Sequence, residues 1–344
     1  MKVVIIGLGS MGQRRLRLIK KYDERIQILG VVRSAEKRDA LVASLGIECY
    51  ESLENAIASH GDIVCAFVCS GPLSHTKIIK TALENNINVF TEINLVDDGY
   101  AENLALAKEK GLKMFLSSTF LYRAEIKYIK NRIDENNKKL NYIYHVGQYL
   151  PNWHPWEDYR KVFFADVRTN GVREEMAVDF PWLFYLFGKV KSYRYLRDRN
   201  TELDLAMEYK DNCMLIAEHE NGNKGVLVFD VVSPKAERFL EIYGENFFIS
   251  WDGSATGLNE LLSKAKECEN PNKIPLTNID LYANKGINLQ DYATFVVEDA
   301  YFNEIVAFFD YVKTGKAPVY TFEDDYATIN LINEIESAEK GGNL

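Results

Sequence analysis

The sequence contains few of the residues that build metal sites and disulfide frameworks. Among its 344 residues are five cysteines and five histidines. Neither type forms a C-x-x-C, H-x-x-x-H or H-E-x-x-H pattern, the spacings at which zinc ligands usually occur, so we predict no metal. Cysteines without a pairing pattern indicate reduced and buried thiols, and we therefore expect a cytoplasmic protein.

The chain also lacks a long apolar run and an excess of basic residues. No stretch approaches the ~20 apolar residues of a membrane span, so we predict no membrane partner. The opening MKVVIIGLG is interrupted by glycine too early for a secretory signal and is better interpreted as a first strand. Lys and Arg number 41 against 50 Asp and Glu, a net charge of −9. This balance argues against nucleic acid, because phosphate binding needs a basic face.

Apolar segments and helical patterns alternate through the first third of the chain. The apolar segments lie at 3–6, 26–32, 63–68, 89–92 and 114–116. Among the helices between them, one is predicted over Ala35–Leu45 and ends at Gly46, a favoured residue after a helix. Fully apolar strands that alternate with helices indicate a parallel sheet that is covered on both faces. The length of the chain suggests about two domains, and this alternation defines the first of them.

The pattern changes after residue 121. An aromatic loop, YLPNWHPWEDYRKVFFAD, precedes a helix that is predicted over Glu174–Phe187. Apolar or alternating segments then follow one another without helices, at 190–196, 203–209, 213–219, 225–232, 238–244 and 246–252. Such a run predicts a largely antiparallel sheet with one face on helices and one face open.

We therefore predict an α/β fold with two domains. Residues 1–121 form an N-terminal Rossmann dinucleotide-binding domain, and residues 122–344 form a C-terminal α+β domain with an open sheet, for substrate and oligomerisation. The last helices, about 291–313 and 323–338, are free to pack back on the first domain. An open apolar face of several hundred Å² is usually an interface, so we expect a homodimer or homotetramer through this sheet.

The first predicted strand leads into a glycine-rich turn. The segment VVIIGLGSMGQRRLRLI has the G-x-G-x-x-G spacing between a strand and a helix. The first glycine of this motif makes the tight turn, the second lets the backbone approach a pyrophosphate, and the third lets the helix pack on the strand. The free N–H groups at the helix start favour an anion. We expect a dinucleotide pyrophosphate to bind at Gly7, Leu8, Gly9, Ser10, Met11 and Gly12.

The end of the second strand distinguishes between NAD and NADP. An Asp or Glu about 20 residues after the loop would bind the ribose of NAD. This chain has VVRSAEKR at that point, and its basic residues suit a ribose phosphate, although they also fit a solvated helix start. The pattern favours NADP, with NAD possible, and the predicted contacts are Arg33, Ser34 and Arg38.

Motifs along nearly the whole chain resemble the glucose–fructose oxidoreductase/inositol dehydrogenase/rhizopine catabolism (GFO/IDH/MocA) family. GLGSMGQRR, CSGPLSH and FTEINL stand where that family has its glycine loop, its cofactor segment and its Glu-Lys-Pro motif. NGVREEMAVDFPWLFYLFG is similar to its second-domain helix, and VAFFDYVKTGKAPVYTFEDDYATINLI to its C-terminal segment. The resemblance implies hydride transfer between NAD(P) and a sugar or polyol carbon. Carried over residue by residue, it adds the cofactor contacts Ser70, Gly71, Pro72, His75, Glu92, Ile93 and Asn94.

The stretch WHPWEDYR is similar to a subset of relatives that are associated with surface polysaccharide metabolism. The resemblance therefore implies a sugar, amino sugar or nucleotide-sugar as the substrate. The aromatic residues of this loop are also suited to stacking on a sugar ring.

The usual acid–base groups of the family are missing. Its proton-relaying lysine falls on Ile93, and its helix motif Asp-x-x-x-His-x-x-Asp falls on Glu174, Val178 and Pro181. Alcohol–carbonyl interconversion still needs a group that exchanges the hydroxyl proton.

His154 is the best candidate by residue type, because an unperturbed histidine titrates near neutrality. Asp179 stands one position after the missing histidine, and Tyr149 is a further candidate. Glu174 occupies a motif position and, with Glu175, is a candidate for orienting substrate hydroxyls. Structural interpretations also remain open, with His154 as a surface or packing residue and Asp179 as a helix-surface carboxylate. Two functions thus remain open, an NADP-dependent oxidoreductase acting on CH–OH, or a dinucleotide-binding protein of the same fold without dehydrogenase activity.

Overall fold

The computed structural model describes residues 1–261, 275–282 and 298–337. Cys268 and parts of the two last predicted helices, 291–297 and 338, lie outside these residues. The chain divides into two compact units. Unit 1 contains residues 1–119 and 301–331, and unit 2 contains the described residues of 120–300 and 332–337. In the described part of the chain, no helix has the length and apolar character to span a membrane.

Unit 1 is built on a parallel sheet. Among the described residues this sheet has six strands: β1 Lys2–Ile6, β2 Gln27–Val31, β3 Glu48–Tyr50, β4 Ile63–Val68, β5 Asn88–Thr91 and β6 Met114–Leu116. They are connected by α1 Ser10–Tyr22, α2 Ala35–Leu45, α3 Leu53–Ser59, α4 His75–Glu84 and α5 Tyr100–Lys110. The strand order β3-β2-β1-β4-β5-β6 is that of a Rossmann fold, and it confirms the Rossmann fold predicted for the N-terminal part of the chain. The order reverses between β1 and β4, whose carboxyl ends flank the crevice where dinucleotides bind.

Local capping signals set the bounds of the helices in unit 1. The Ser34 hydroxyl accepts the Lys37 N–H at the start of α2, and Ser52 does the same for Asn55 at the start of α3. The predicted bounds of α2 and β4 agree with the observed ones. The strand β3, with the sequence ECY, was not predicted, because it lacks the continuous apolar run that marks the equally short β6, MFL.

Unit 2 combines α6 Ala124–Asn136 and α7 Gly171–Phe187 with a second sheet. Within the described residues this sheet has eight strands: β7 Asn141–Gly147, β8 Val190–Asp198, β9 Asn212–His219, β10 Lys224–Asp230, β11 Glu237–Gly244, β12 Phe247–Trp251, β13 Leu258–Leu261 and β14 Leu276–Asn278. Their order is β14-β13-β12-β11-β7-β10-β9-β8. Of the described strand pairs in this sheet, only β7 and β10 run in parallel, so the predicted, largely antiparallel sheet is confirmed.

The strand predicted over 203–209 is wrong, because this segment is a loop of turns. The Arg199 guanidinium donates to the carbonyl oxygens of Leu203 and Ala206. The Tyr209 hydroxyl donates to the Phe164 carbonyl and accepts from the Gly171 N–H. These side-chain bonds to the backbone compete with a strand ladder and hold the loop.

The sheet of unit 2 buries one face and exposes the other. Side chains alternate along β7, where Tyr142 and Tyr144 are buried and Ile143 is exposed. The strand register joins the exposed apolar side chains of neighbouring strands into one surface, which we call the open sheet face. Its large apolar members are Ile143, Leu196, Met214, Ile216, Val226, Phe239 and Tyr243.

Two further helices are α8 Glu298–Thr314 and α9 Phe322–Ser337. Residues 301–331 belong to unit 1, where Phe308 of α8 contacts the rings of Phe67, Phe90 and Phe115 edge-on. The aromatic cluster attaches this part of the chain to the core of unit 1.

Candidate functional site

The glycine loop of unit 1 is shaped by two close approaches. Gly7 has φ +91°, and a Cβ atom there would lie 2.7 Å from the Cys69 carbonyl oxygen. A Cβ on Gly12 would lie 1.9 Å from the Gly7 carbonyl oxygen. Both positions therefore require glycine. Gly9 differs, because a Cβ there would meet nothing within 4 Å among the described residues, which leaves an open approach to the backbone.

The start of α1 is suited to an anion. Gly9 is the N-cap, no side chain of the described residues caps the helix, and its first turn contains no acidic residue. Leu8 is buried, whereas Ser10 is exposed and Met11 half-buried. Free N–H groups and the positive end of the helix dipole therefore face an uncovered surface, which fits the pyrophosphate of a dinucleotide.

Two of the three predicted phosphate contacts after β2 are already engaged in local hydrogen bonds. Arg38 donates from Nη1 to the carbonyl oxygens of Val32, at 2.9 Å, and Arg33, at 2.8 Å, so it reinforces the turn. Ser34 caps α2 through its hydroxyl. The side chain of Arg33 is exposed at the end of β2. Of the three predicted contacts, Arg33 is thus the one best placed to meet a ribose phosphate.

His75 organises the predicted cofactor segment from inside. It is 1% exposed, with Nε2 2.8 Å from the Ser70 carbonyl oxygen and Nδ1 3.0 Å from Asn94 Oδ1. Burial lowers the pKa of His75. The ring therefore links Ser70 to Asn94, while Gly71 is exposed and Pro72 is buried in a short turn.

Glu92 is held by a buried arginine. Arg15 Nε lies 2.7 Å from Glu92 Oε1, and Arg15 Nη2 lies 3.3 Å from Oε2. The same guanidinium donates from Nη1 to Glu304 at 2.8 Å. Because both Glu92 oxygens are engaged, the arrangement favours fixing the end of β5 over moving a proton. The neighbouring Ile93 is half-buried and brings no ionisable group.

A cleft of about 160 Å³ lies in unit 2, beside the first half of α7 and the ends of β7 and β11. Its walls include Val146, Gln148, Trp153, Glu174, Glu175 and Arg238. The Oε2 atoms of Glu174 and Glu175 are buried and have no hydrogen-bond partner among the described residues. Burial raises the pKa of Glu174 to about 8. Burial and the neighbouring carboxyl group of Asp230 raise the pKa of Glu175 well above its usual range.

Asp179 acts on the cleft through Arg238. It is fully buried, and its Oδ1 atom accepts from Trp182 Nε1 at 2.7 Å and from the Arg238 guanidinium. Arg238 also donates to the Tyr144 hydroxyl at 2.6 Å. Asp179 therefore orients the one arginine among the lining residues that the structure describes, and this geometry favours a positioning role for it.

His154 is engaged by other aromatic rings. It stacks on Trp156, with ring centroids 5.3 Å apart, and contacts Phe164 edge-on at 5.4 Å. It is not among the described residues that line the cleft. From the same loop the cleft receives Trp153, whose indole N–H donates to the Gln148 carbonyl oxygen at 2.9 Å. The structure thus brings Glu174 together with Glu175 and Arg238, but does not bring His154 to them.

Two arginines of these sites were not predicted, although each carried a signal in the sequence. Arg15 shares the buried face of α1 with Gly12 and Ile19. Arg238 stands two positions before Leu240 in β11, on the buried face of that strand. A charged residue at an apolar position of a periodic pattern indicates a buried partner of opposite charge.

Residues 1–117 match the model of the GFO/IDH/MocA family, which is described as an oxidoreductase family with an NAD-binding Rossmann fold. This match confirms the family resemblance over those residues. No curated protein matches the chain.

Solved structures with the same fold match nearly the whole chain. Levoglucosan dehydrogenase in complex with NADH matches with TM-score 0.77 and 14% identity over 99% of this chain and 98% of that one. UDP-N-acetylglucosamine 3-dehydrogenase GnnA from Acidithiobacillus ferrooxidans matches with TM-score 0.72 and 13% identity over 98% and 96%. Biliverdin reductase from Synechocystis sp. PCC 6803, in complex with biliverdin and NADP⁺, matches with TM-score 0.69 and 17% identity over 97% of each chain. At these identities the likeness shows the shared fold alone.

Proposed function

We propose that this chain is an NADP(H)-dependent oxidoreductase acting on a CH–OH group of a sugar, amino sugar or nucleotide-sugar. Its residues 1–117 match the model of the GFO/IDH/MocA oxidoreductase family with its NAD-binding Rossmann fold, which supports the proposal. The observation that carries this proposal is the cleft of unit 2, where half-buried Glu174, with its buried Oε2 atom, shares the walls with Arg238 and Trp153. Proteins of similar fold include dehydrogenases of levoglucosan and of UDP-N-acetylglucosamine, which supports a substrate of the sugar class.

The glycine loop fits the cofactor. Gly9 and the free N–H groups at the start of α1 would hold the pyrophosphate, and Arg33 would hold the ribose phosphate of NADP. When bound, a nicotinamide dinucleotide supplies the acceptor or donor of a hydride. Glu92, fixed by Arg15, keeps the end of β5 in place beside this region.

Glu174 is the group that we assign to proton exchange. A carboxyl group with a pKa near 8 is protonated often enough to donate, and ionised often enough to accept, close to neutral pH. In oxidation its carboxylate accepts the hydroxyl proton of the substrate, and in reduction its acid form donates a proton to the carbonyl oxygen. Trp153 offers an apolar face to a sugar ring. This assignment replaces the relay that Ile93 cannot provide.

A turnover screen tests the proposal. The full chain is mixed with NADP⁺ or NAD⁺ and a panel of sugars, amino sugars and nucleotide-sugars, and reduced nicotinamide is followed by absorbance. Biliverdin with NADPH is included, because a protein of similar fold binds it. We expect reduction of NADP⁺ with at least one member of the sugar panel.

A second function is favoured by Ile93, which leaves the position of the family's relay without an ionisable group. It is a dinucleotide-binding protein with a binding or regulatory role and no dehydrogenase activity. Binding of the dinucleotide without turnover of any panel member would establish this function in place of the first.

Cofactor preference gives a further prediction. We expect NADPH to bind more tightly than NADH, and Arg33→Asp to reverse the order. A charge-assisted contact contributes ~1.5–3 kcal/mol, so the ratio of the two affinities should change by more than about tenfold. Fluorescence titration of both cofactors measures this ratio. Lys108→Asp makes the same charge change at an exposed position of α5 and should leave the ratio unchanged; tighter binding of NADH to the unsubstituted chain would contradict the prediction.

We also propose a homodimer or homotetramer formed through the open sheet face. Leu196 and Ile216 are 63% and 59% exposed there, and contiguous apolar surface of this kind usually marks an interface. Ile216→Asp should reduce the mass measured by light scattering to that of the 39.4 kDa monomer. Met207 is 86% exposed but lies outside the sheet, so Met207→Asp should keep the oligomer. A monomeric unsubstituted chain at micromolar concentration would rule out the interface.

A further inference from the structure

The cleft of unit 2 has more carboxyl groups than cations to pair with them. Of its lining residues, Glu237 lies 2.8 Å from Lys235, and Arg238 is bound by Asp179. Glu174 and Glu175 are left, each with a buried Oε2 atom that has no hydrogen-bond partner in the described part of the chain. Two neighbouring carboxyl groups thus line the cleft, and the one cation among its described lining residues, Arg238, is already paired with Asp179.

Glu175 is the more deeply placed of the two. It is 6% exposed, and the carboxyl groups that act on it are Asp230, Asp179 and Glu174, against the single cation Arg238. Asp230 is itself paired with His145 at 2.7 Å, and Asp179 with Arg238. Burying a carboxyl group without a partner is unfavourable. A ligand with hydrogen-bond donors and a positive charge would supply the hydrogen bond that Glu175 lacks. It would also offset the repulsion between Glu175 and the neighbouring carboxyl groups.

Trp153 adds an independent feature on the wall of the same cleft. Its indole N–H is occupied by the Gln148 carbonyl oxygen, so the side chain contributes its ring to the cleft and not a free donor. The face of an indole ring attracts an ammonium group. A carboxylate and an indole face together are the surroundings that a protonated amine prefers over a phosphate or a neutral amide.

We propose that the cleft binds a substrate with a free, positively charged amino group, which pairs with Glu175 while the reacting hydroxyl lies at Glu174. This inference rests on the proposed function. Of the substrate classes named there, it selects amino sugars. It does not select the diphosphate of a nucleotide-sugar, because an anion cannot supply the positive charge that Glu175 lacks. It also excludes an N-acetylated amine, which has no charge and fewer donors. Charge-assisted hydrogen bonds are roughly twice as strong as neutral ones, so the amine should dominate selection.

Calorimetry on the full chain with NADPH tests this inference directly. The probes are hexoses with an amino group at different ring carbons, each compared with its parent hexose and its N-acetyl form. We expect at least one amino hexose to bind about tenfold or more tightly than both counterparts. Glu175→Gln should abolish this difference. Glu220→Gln makes the same change at an exposed turn of unit 2 and should retain it.

Proton release provides a second measurement. Burial raises the pKa of Glu175, so pairing with an amine that is already charged must release a proton from the cleft. The calorimetric heat of the unsubstituted chain should therefore depend on the ionisation enthalpy of the buffer, and that of Glu175→Gln should depend on it less.

The possible outcomes separate this inference from the proposed function. If parent or N-acetyl hexoses bind as well as the amines, or if no amino hexose binds, the inference is wrong, whether or not the screen finds turnover. If amine binding depends on Glu175 but no panel member is turned over, the amine site stands and the oxidoreductase proposal fails.

Discussion

Glu174→Gln is expected to lower the turnover of the sugar substrate at least ~100-fold, the range that a positioned acid–base group contributes. Glutamine keeps the size and hydrogen bonding of the side chain but cannot exchange a proton. The affinity for NADP(H) should be unchanged, because Glu174 is not among the proposed cofactor contacts, which belong to the glycine loop and to Arg33. Steady-state kinetics and a cofactor titration on the same variant measure the two quantities.

The pH dependence should follow the same residue. Burial raises the pKa of Glu174 from 4.5 to about 8. Oxidation needs the carboxylate, so its rate should rise with pH until about pH 8 and then level off. Reduction needs the acid form, so its rate should decline as pH rises past about 8. Glu174→Gln should remove both dependences.

Two other candidates provide contrasting variants. Asp179→Asn removes the counterion of Arg238, so it should also impair turnover while the pH dependence set by Glu174 persists. His154 stacks on Trp156 outside the cleft walls, and His154→Ala should have the smallest effect of the three. If His154→Ala causes the large loss and Glu174→Gln does not, the proton exchange belongs to the aromatic loop.

The fold of unit 1 was predictable because its signals are local. A run of apolar residues, a capping serine and a terminal glycine lie within one short segment, so α2 and β4 were obtained with their observed bounds. The glycine loop was predictable for the same reason, since its three glycines are close in sequence and each has its own steric requirement. The strand expected over 203–209 failed because Arg199 and Tyr209 hold that segment through hydrogen bonds that no alternation pattern reveals.

The cleft of unit 2 was predictable only in part. Glu174 was found through its motif position, but its neighbours depend on contacts between segments that are distant in sequence. Arg238 comes from β11, and it meets Asp179 of α7 only after the sheet has formed. Which member of the aromatic loop reaches the cleft depends on a run of short turns, where Trp153 and His154 are adjacent in sequence but have different surroundings.

Arg15→Met is expected to lower the free energy of unfolding by ~3–5 kcal/mol, the usual effect of removing one partner from a buried ion pair. Arg15 is fully buried and pairs with Glu92 and with Glu304, which is also fully buried. Methionine fills much of the volume but leaves the two carboxyl groups without their cation. Urea unfolding of the unsubstituted chain and the variant measures the difference.

The unfolding free energy lost in Arg15→Met should depend on pH, because the loss arises from carboxyl groups left without their cation. Burial already raises the pKa of Glu304, an effect that Arg15 opposes, so the substitution should raise that pKa further. A carboxyl group with a raised pKa in the folded state favours folding at low pH, and this contribution disappears as pH rises through that pKa. The loss of unfolding free energy in Arg15→Met should therefore be largest at neutral pH and become smaller on acidification.

Two further variants serve as controls. Adding Glu304→Gln to Arg15→Met should recover part of the lost unfolding free energy, whereas Arg25→Met, at an exposed pair with Asp23, should change stability little. A deficit that is independent of pH, or not reduced by Glu304→Gln, would mean that Arg15 contributes by packing against Phe90 and Tyr301 and not by holding Glu92 in place.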